Sequence, residues 1–208
     1  VERGGLAWQT ALGVVLPEPP AGSLGSPTVM DFSAVTTQPS DTGARADLGV
    51  PTFAYAFPVT DGWLVEETVL AGPPLDPDEL APQLARRLGE PVDALFDRAL
   101  RIERVRIPMG APVPARPDPA SRAVVRFGAA AGMIHSATGY SVAASLRAAD
   151  RVGAAVVQQL AGEPDGRALA DAVWPRALRR SRRLHDYGLG VVLEMDVDDI
   201  RQIGRAHV

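Results

Sequence analysis

The stretch "TFAYAFPVTDGWLVEETVL", Thr52 to Leu70, decides how the first half of this chain folds. Two apolar runs of strand length flank Asp61-Gly62, a turn signal, so the stretch predicts a β-hairpin. The second run carries two adjacent acids, Glu66 and Glu67. A strand sends successive side chains to opposite faces, so at least one of these carboxyls looks toward an apolar region. A half-buried carboxyl holds its proton more tightly than a solvated one, which is what a general acid needs. The alternative is a strand end or bulge that leaves both acids in water.

Outward from the hairpin, "ALGVVLP" from Ala11 and "TVMDF" from Thr28 read as further strands, and residues 36–51 as a polar surface loop. A helix follows, with Asp78 as N-cap, Pro82 near its first turn, Leu80, Leu84 and Leu88 at four-residue spacing, and Gly89 as its stop. "ALRIERVRIPMGAPVP" from Ala99 alternates like a strand before a proline-rich bend. Residues 123–160 read as strand, small-residue turn and helix. On that helix Val142, Leu146, Ala149, Gly153, Val156 and Leu160 form a stripe expected to be core. Residues 165–202 are mainly helical, interrupted at Trp174-Pro175.

The chain has 208 residues, ample for a core, with 46% hydrophobic and 22% charged residues, as in ordinary globular proteins. Every basic residue is arginine, which with abundant Ala, Gly, Pro and Val points to a GC-rich, bacterial source. A net charge of -4 argues against a general nucleic-acid binder. There are no cysteines, and the 3 histidines lack metal-site spacing, so no metal is expected. The chain opens on Val1 and reads as an internal fragment. Its last stretch, "IGRAHV" at 203–208, back-translates into DNA resembling a sequencing adapter and is expected to be an artefact.

The turn "FGAAAGMIHSATGYS", Phe127 to Ser141, is the strongest local signal. Its small residues let the backbone approach a flat or phosphorylated group, and a helix opening at Thr138-Gly139 would favour negative charge. Close helix–strand packing without a ligand explains it equally well. The arginines Arg176, Arg179, Arg180, Arg182 and Arg183 read as a solvated helical face, or as a contact for anionic lipid headgroups.

In their order, these motifs resemble flavin-dependent lycopene cyclases. "WQTALGVV" at Trp8 is similar to the family's "QT…G" strand, and "VMDF" at Val29 to its "MDW/MDY" segment. "PTFAYAFP" at Pro51 resembles "PTFLYAMP", "LVEET" at Leu64 resembles "FLEET", and "RIPMGAPVP" at Arg106 resembles "IPMGGPLP". "FGAAAGMIHSATGYSV" at Phe127 resembles "FGAAAGMVHPATGYSV", and "RRLHDYGLGVVLEMDVDDIRQ" at Arg182 the closing helices. The resemblance runs to Gln202. Ser136 replaces the family's proline, and Ala111 stands where glycine is frequent.

The resemblance implies a mixed α/β flavoprotein fold of the aromatic-hydroxylase type, a Rossmann-like FAD part interleaved with a sheet-based substrate domain. Residues 1–105 would be mostly substrate domain, 106–160 the returning half of the FAD domain, and 161–202 a helical region. The G-x-G-x-x-G fingerprint is missing, so this piece alone is expected to hold FAD poorly. The implied activity is isomerisation of lycopene or a related carotenoid to β-ionone rings, with reduced FAD, NAD(P)H as electron source and no net redox change. Glu66 would be acid or cation stabiliser with Glu67 as its support. Gly128, Ala129, Ala130, Gly132, Met133, Thr138, Gly139 and Tyr140 would line the cofactor, and Asp31, Pro108 and Gly110 the substrate. The location implied is cytoplasmic, peripheral on the inner face of the membrane. Another FAD-dependent isoprenoid oxidoreductase of this fold, or an inert fragment that binds an apolar ligand, are the alternatives.

Overall fold

The computed structural model describes residues 6–33, 48, 50–117, 125–162, 165–196, 198–200 and 202. Most of the expected loop at 36–51, and the whole of 203–208, lie outside them. The fold is mixed α/β, and the chain divides into two compact units, Val1–Ile107 with Leu193–Val208, and Pro108–Val192.

The first unit is built on the hairpin. Strands β1 (Ala7–Leu16), β2 (Thr28–Asp31), β3 (Thr52–Val59), β4 (Gly62–Val69) and β5 (Arg101–Met109) form one sheet in the order β2-β3-β4-β1-β5. β3 and β4 pair antiparallel with Val59 opposite Gly62, so the turn residues are Thr60 and Asp61. The turn is therefore one residue earlier than Asp61-Gly62. Gly62 opens β4 because a Cβ there would lie 2.3 Å from the Leu16 carbonyl oxygen. β2 is irregular between Thr28 and Asp31, where Met30 takes a left-handed φ of 55°.

Paired residues of an antiparallel ladder share a face, so the registers sort the side chains. Leu12, Val14, Leu16, Ala54, Ala56, Trp63, Val65 and Val69 point one way. Against them pack Leu80, the helix α1 (Ala81–Leu88) through Leu84 and Ala85, and α2 (Val92–Arg98) through Leu95, making the unit's main core. The entry to α1 corrects the expected cap. Asp76, not Asp78, is the N-cap of a preceding 3-10 turn, Pro77–Leu80: it accepts from the Asp78 amide, and Glu79 reaches back to the Asp76 amide. Gly89 ends α1 in the left-handed conformation, as expected.

The second unit begins at the last two residues of β5 and holds α3 (Val142–Ala161), α4 (Gly166–Val173) and most of α5 (Arg176–Glu194), with α4 and α5 separated at Trp174-Pro175. The described residues before the Gly/Ala turn, 125–127, form no strand; a 3-10 turn, Gly128–Ala131, follows directly. Two further expectations fail here. The helix opens at Val142, past Thr138-Gly139, which belong to a tight loop. The stripe expected to be core faces outward, with Val142 at 69%, Leu146 at 70% and Leu160 at 83% exposure. α3 instead buries its small-residue side: Ala144, Ala148 and Val152 pack with Ala131, Met133, Val173 and Trp174.

Candidate active site

The period of two separates the adjacent glutamates completely. Glu67 lies opposite Leu12 and Ala54, on the face that packs under α1. It is fully buried, and its carboxylate receives Nε and Nη2 of Arg87 and the Gln83 amide nitrogen at 3.3 Å. Burial pushes the Glu67 carboxyl up, while the Arg87 charge and these hydrogen bonds pull against that rise. Arg87 also donates to the Ser33 carbonyl oxygen and lies 3.9 Å from Asp31 Oδ2. The Asp31 carboxylate in turn accepts from the Ser33 amide and hydroxyl. Asp31 and Glu67, from two separate motifs, thus converge on one buried guanidinium that a stripe of leucines gave no reason to single out.

Glu66 lies opposite Gly13 and Tyr55, on the other face. It is half-buried and accepts a hydrogen bond of 2.8 Å from the Thr68 hydroxyl. Burial pushes its carboxyl up, opposed by that hydrogen bond, so Glu66 holds its proton to higher pH than an ordinary glutamate. Around it stands an aromatic row: Phe53 meets Tyr55 edge-on at 5.0 Å between centroids, and Phe32 lies 5.1 Å from Phe53. An acid that retains its proton beside π-faces can give that proton to an apolar group and stabilise the cation that results.

In the second unit one side chain organises the motif segments. Arg182 is 5% exposed, which corrects its place on a solvated face. Its Nη1 donates to the carbonyls of Gly132 and Ile134, Nη2 to that of Ala111, and Nε to Asp186, at 2.8–3.0 Å. Ser136, also buried, donates to the same Asp186 oxygen at 2.5 Å. Arg179 is half-buried and donates to the carbonyls of Trp174 and Pro114, while Arg176, Arg180 and Arg183 are exposed. Gly110, with φ of 70°, abuts Leu189: a Cβ there would sit 2.9 Å from its Cδ2. Pro108, one of the residues assigned to substrate, is half-buried before the fully buried Met109.

The Gly/Ala turn is held from below and open above. Trp174 Nε1 donates to the Ala131 carbonyl at 2.7 Å, and Gly132 is left-handed against the Pro112 carbonyl. Ala129 and Ala130 are exposed, and a Cβ on the left-handed Gly128 would meet nothing within 4 Å. Beyond it, Gly139 Cα turns the loop at φ 75° while its amide, like that of Thr138, donates to the His135 carbonyl. Met133, Thr138 and Tyr140 line a cavity of 670 Å³ together with Arg147, Arg151, His135 and His185. The two imidazoles lie 4.1 Å apart between centroids, tilted by 38°, and burial, His185 and Arg182 push the His135 pKa down. The buried His135 Nδ1 has no hydrogen-bond partner among the described residues.

Comparison with known proteins agrees with these motifs. A family model described as lycopene cyclase protein matches residues 3–208. The chain is 34% identical over 164 residues to a chloroplastic lycopene beta cyclase of Arabidopsis thaliana, covering 74% of this chain and 32% of that protein. For the lycopene beta cyclase of Solanum lycopersicum the values are 35% over 164 residues, 74% and 31%. An uncharacterized carotenoid cyclase of Deinococcus radiodurans is 34% identical over 201 residues, covering 93% and 45%. The chain spans about a third of the length of the plant relatives. No solved structure matches significantly. By its match along nearly the whole sequence, the chain belongs to the lycopene cyclase protein family.

Proposed function

We propose that this chain is the acid-bearing part of a lycopene β-cyclase, an isomerase that closes ends of lycopene into β-ionone rings. The observation that carries the reading is the half-buried Glu66 beside Phe53 and Tyr55, with its pKa raised by burial. The Glu66 carboxyl gives its proton to the terminal double bond, and the neighbouring π-system attacks the cation to close the ring. Loss of a proton next to the new bond then restores a double bond. The aromatic row stabilises the cation, and the apolar wall from Leu64 and Val15 keeps water from quenching it. Glu67 supports Glu66 indirectly: its tie to Arg87 fixes the register of β4 against α1, which determines where Glu66 points.

Features of the second unit support a reading in which it holds reduced FAD. Gly128, Ala129, Ala130 and Gly132 offer close backbone approach, Gly139 turns the loop beyond them, and Met133, Thr138 and Tyr140 line the neighbouring cavity. The orphaned His135 Nδ1 awaits a polar partner, and Arg147 and Arg151 suit an anion. The start of α3, where Ser141 makes no side-chain cap, leaves amides for negative charge. Bound in reduced form, with NAD(P)H as electron source, the flavin would supply negative charge that stabilises a carbocation, without net electron transfer. No helix among the described residues is long and apolar enough to cross a membrane. Exposed Arg176, Arg180 and Arg183 near Leu184 and Tyr187 suit peripheral contact with an anionic bilayer surface.

The test is Glu66→Gln in a complete cyclase carrying this segment, expressed in a lycopene-accumulating bacterium. The variant folds and leaves lycopene uncyclised; normal conversion would remove Glu66 from the mechanism. Wild-type products isomeric with lycopene separate a cyclase from a reductase of the same flavoprotein group.

A further inference from the structure

Ring closure needs a base as well as an acid, and the first unit offers one that no motif marks. β1 lies between β4 and β5, and its Gly13 lies directly opposite Glu66. A Cβ built on Gly13 would be 3.6 Å from the Cβ of Glu66 and 3.6 Å from the Cβ of Glu103 on β5. The two glutamates therefore flank the glycine on one face, one on each neighbouring strand, with nothing but hydrogen on the residue between them. Leu64 closes the slot on one side, its Cδ1 3.1 Å from the same point. Side chains at Gly13 would fill this slot; the glycine keeps it open.

The other acids of the sheet are excluded by their direction. Glu67 and Asp31 face α1 and share Arg87. Of the described strand residues on the Glu66 face, Glu103 is the remaining carboxyl. Its surroundings complement those of Glu66: Glu103 is ion-paired with Arg101, whose guanidinium also reaches Asp61 at 3.2 Å, so Glu103 faces a cation. Glu66 accepts only a neutral hydroxyl among its recorded hydrogen bonds and is placed to hold a proton.

Building on the cyclase reading above, we infer that Glu103 is the catalytic base, taking across the Gly13 slot the proton that the ring-closed cation loses. The balance closes without a co-reactant. The proton leaves Glu66 for the inner carbon of the terminal double bond, whose π pair becomes the new C–H bond; the π pair of the neighbouring double bond then forms the ring bond, and a ring carbon becomes cationic. Its neighbouring C–H bond breaks, the electron pair becomes the new double bond, and the proton goes to a Glu103 oxygen. An alkyl cation is a far stronger acid than any carboxylic acid, so pairing with Arg101 does not prevent this transfer. Return of the proton from Glu103 to Glu66 resets the pair. The product is an isomer of the substrate.

The experiment compares Glu103→Gln, Glu103→Asp and Arg101→Gln in the complete cyclase, with pigments separated by chromatography and folding checked by circular dichroism. Glu103→Gln lowers β-ring formation by about 100-fold or more, and its residual product shifts toward rings that lost the other proton or captured water. Glu103→Asp, which draws the carboxylate back by one methylene, recovers only part of the rate with an altered ring type, and Arg101→Gln, which keeps the carboxylate in place, retains β-ring product. Wild-type rates in Glu103→Gln would overturn the assignment. Equal losses in Arg101→Gln and Glu103→Gln with unchanged ring type would also overturn it, since they would make Glu103 a structural partner only. Should Glu103→Gln fail to fold, Glu103→Asp decides alone: an unaltered rate and ring type on displacing the carboxylate would overturn the role, and an altered ring type would support it. A wild-type protein that leaves lycopene unchanged would instead refute the cyclase reading itself.

Discussion

Replacing Arg87 by methionine tests the division of labour between the two adjacent glutamates. The substitution keeps most of the stem's packing and removes the charge that both Glu67 and Asp31 face. Glu67 is fully buried, so its carboxylate would be left with hydrogen bonds from Gln83 and Thr52 and no cation. Removing one partner of a buried ion pair costs roughly 3–5 kcal/mol. The lost hydrogen bond to the Ser33 carbonyl adds about 1 kcal/mol. With a urea dependence of about 2 kcal/mol per M for a small domain, the unfolding midpoint should fall by roughly 2–3 M. That is a large share of a domain stability of roughly 5–15 kcal/mol. The assay is urea unfolding followed by tryptophan fluorescence, since Trp63 belongs to the same core and its Nε1 donates to the Leu24 carbonyl. The double variant Arg87→Met with Glu67→Leu should recover most of the loss, because it leaves no orphaned charge. A midpoint unchanged in Arg87→Met, or a double variant as unstable as the sum of both singles, would refute the structural role given to Glu67.

Glu66→Gln should change stability in a pH-dependent way. Burial raises the folded-state pKa of Glu66 above the ordinary 4.5, so its favourable contribution is full below that value and is lost as pH rises through the folded pKa. The variant should therefore gain on wild type between acid and neutral pH in thermal unfolding; a difference independent of pH would contradict this. Arg182→Met, which strips buried hydrogen bonds from Ala111, Gly132 and Ile134, should cost about 3 kcal/mol or more and speed amide exchange around Gly132 before the sheet is affected. Gly110→Ala meets both a left-handed φ and Leu189, and should lower stability by about 1–3 kcal/mol in the same urea assay.

The sheet was legible because its signals are local. Alternation and a turn signal gave the hairpin, and the period of two already implied that Glu66 and Glu67 part company. What the period could not supply was the partner. Arg87 is one of two adjacent arginines on a helix read for its leucines, and only the packing of α1 on β4 reveals which of them meets Glu67. The α3 stripe misled for a related reason: periodicity finds an apolar face, but Ala144 and Ala148 pack closer than Leu146 could, so the small side was buried. Asp76 was recoverable from its Asp-Pro-Asp-Glu spacing, the capping-box pattern. Arg182 was hidden inside an arginine run whose members look alike until the loop carbonyls of Gly132 and Ile134 are placed around one of them. Glu103 was masked by an alternating strand that explains it as ordinary surface.

The most direct measurement is a carboxyl titration of Glu66 by carbon-detected NMR, using glutamate-labelled chain and Glu66→Gln to assign the signal. A midpoint above 4.5, the ordinary glutamate value, is predicted. A midpoint at or below it would mean that the carboxyl beside Tyr55 is solvated or charge-paired, and an acid of that kind has no proton to offer a hydrocarbon.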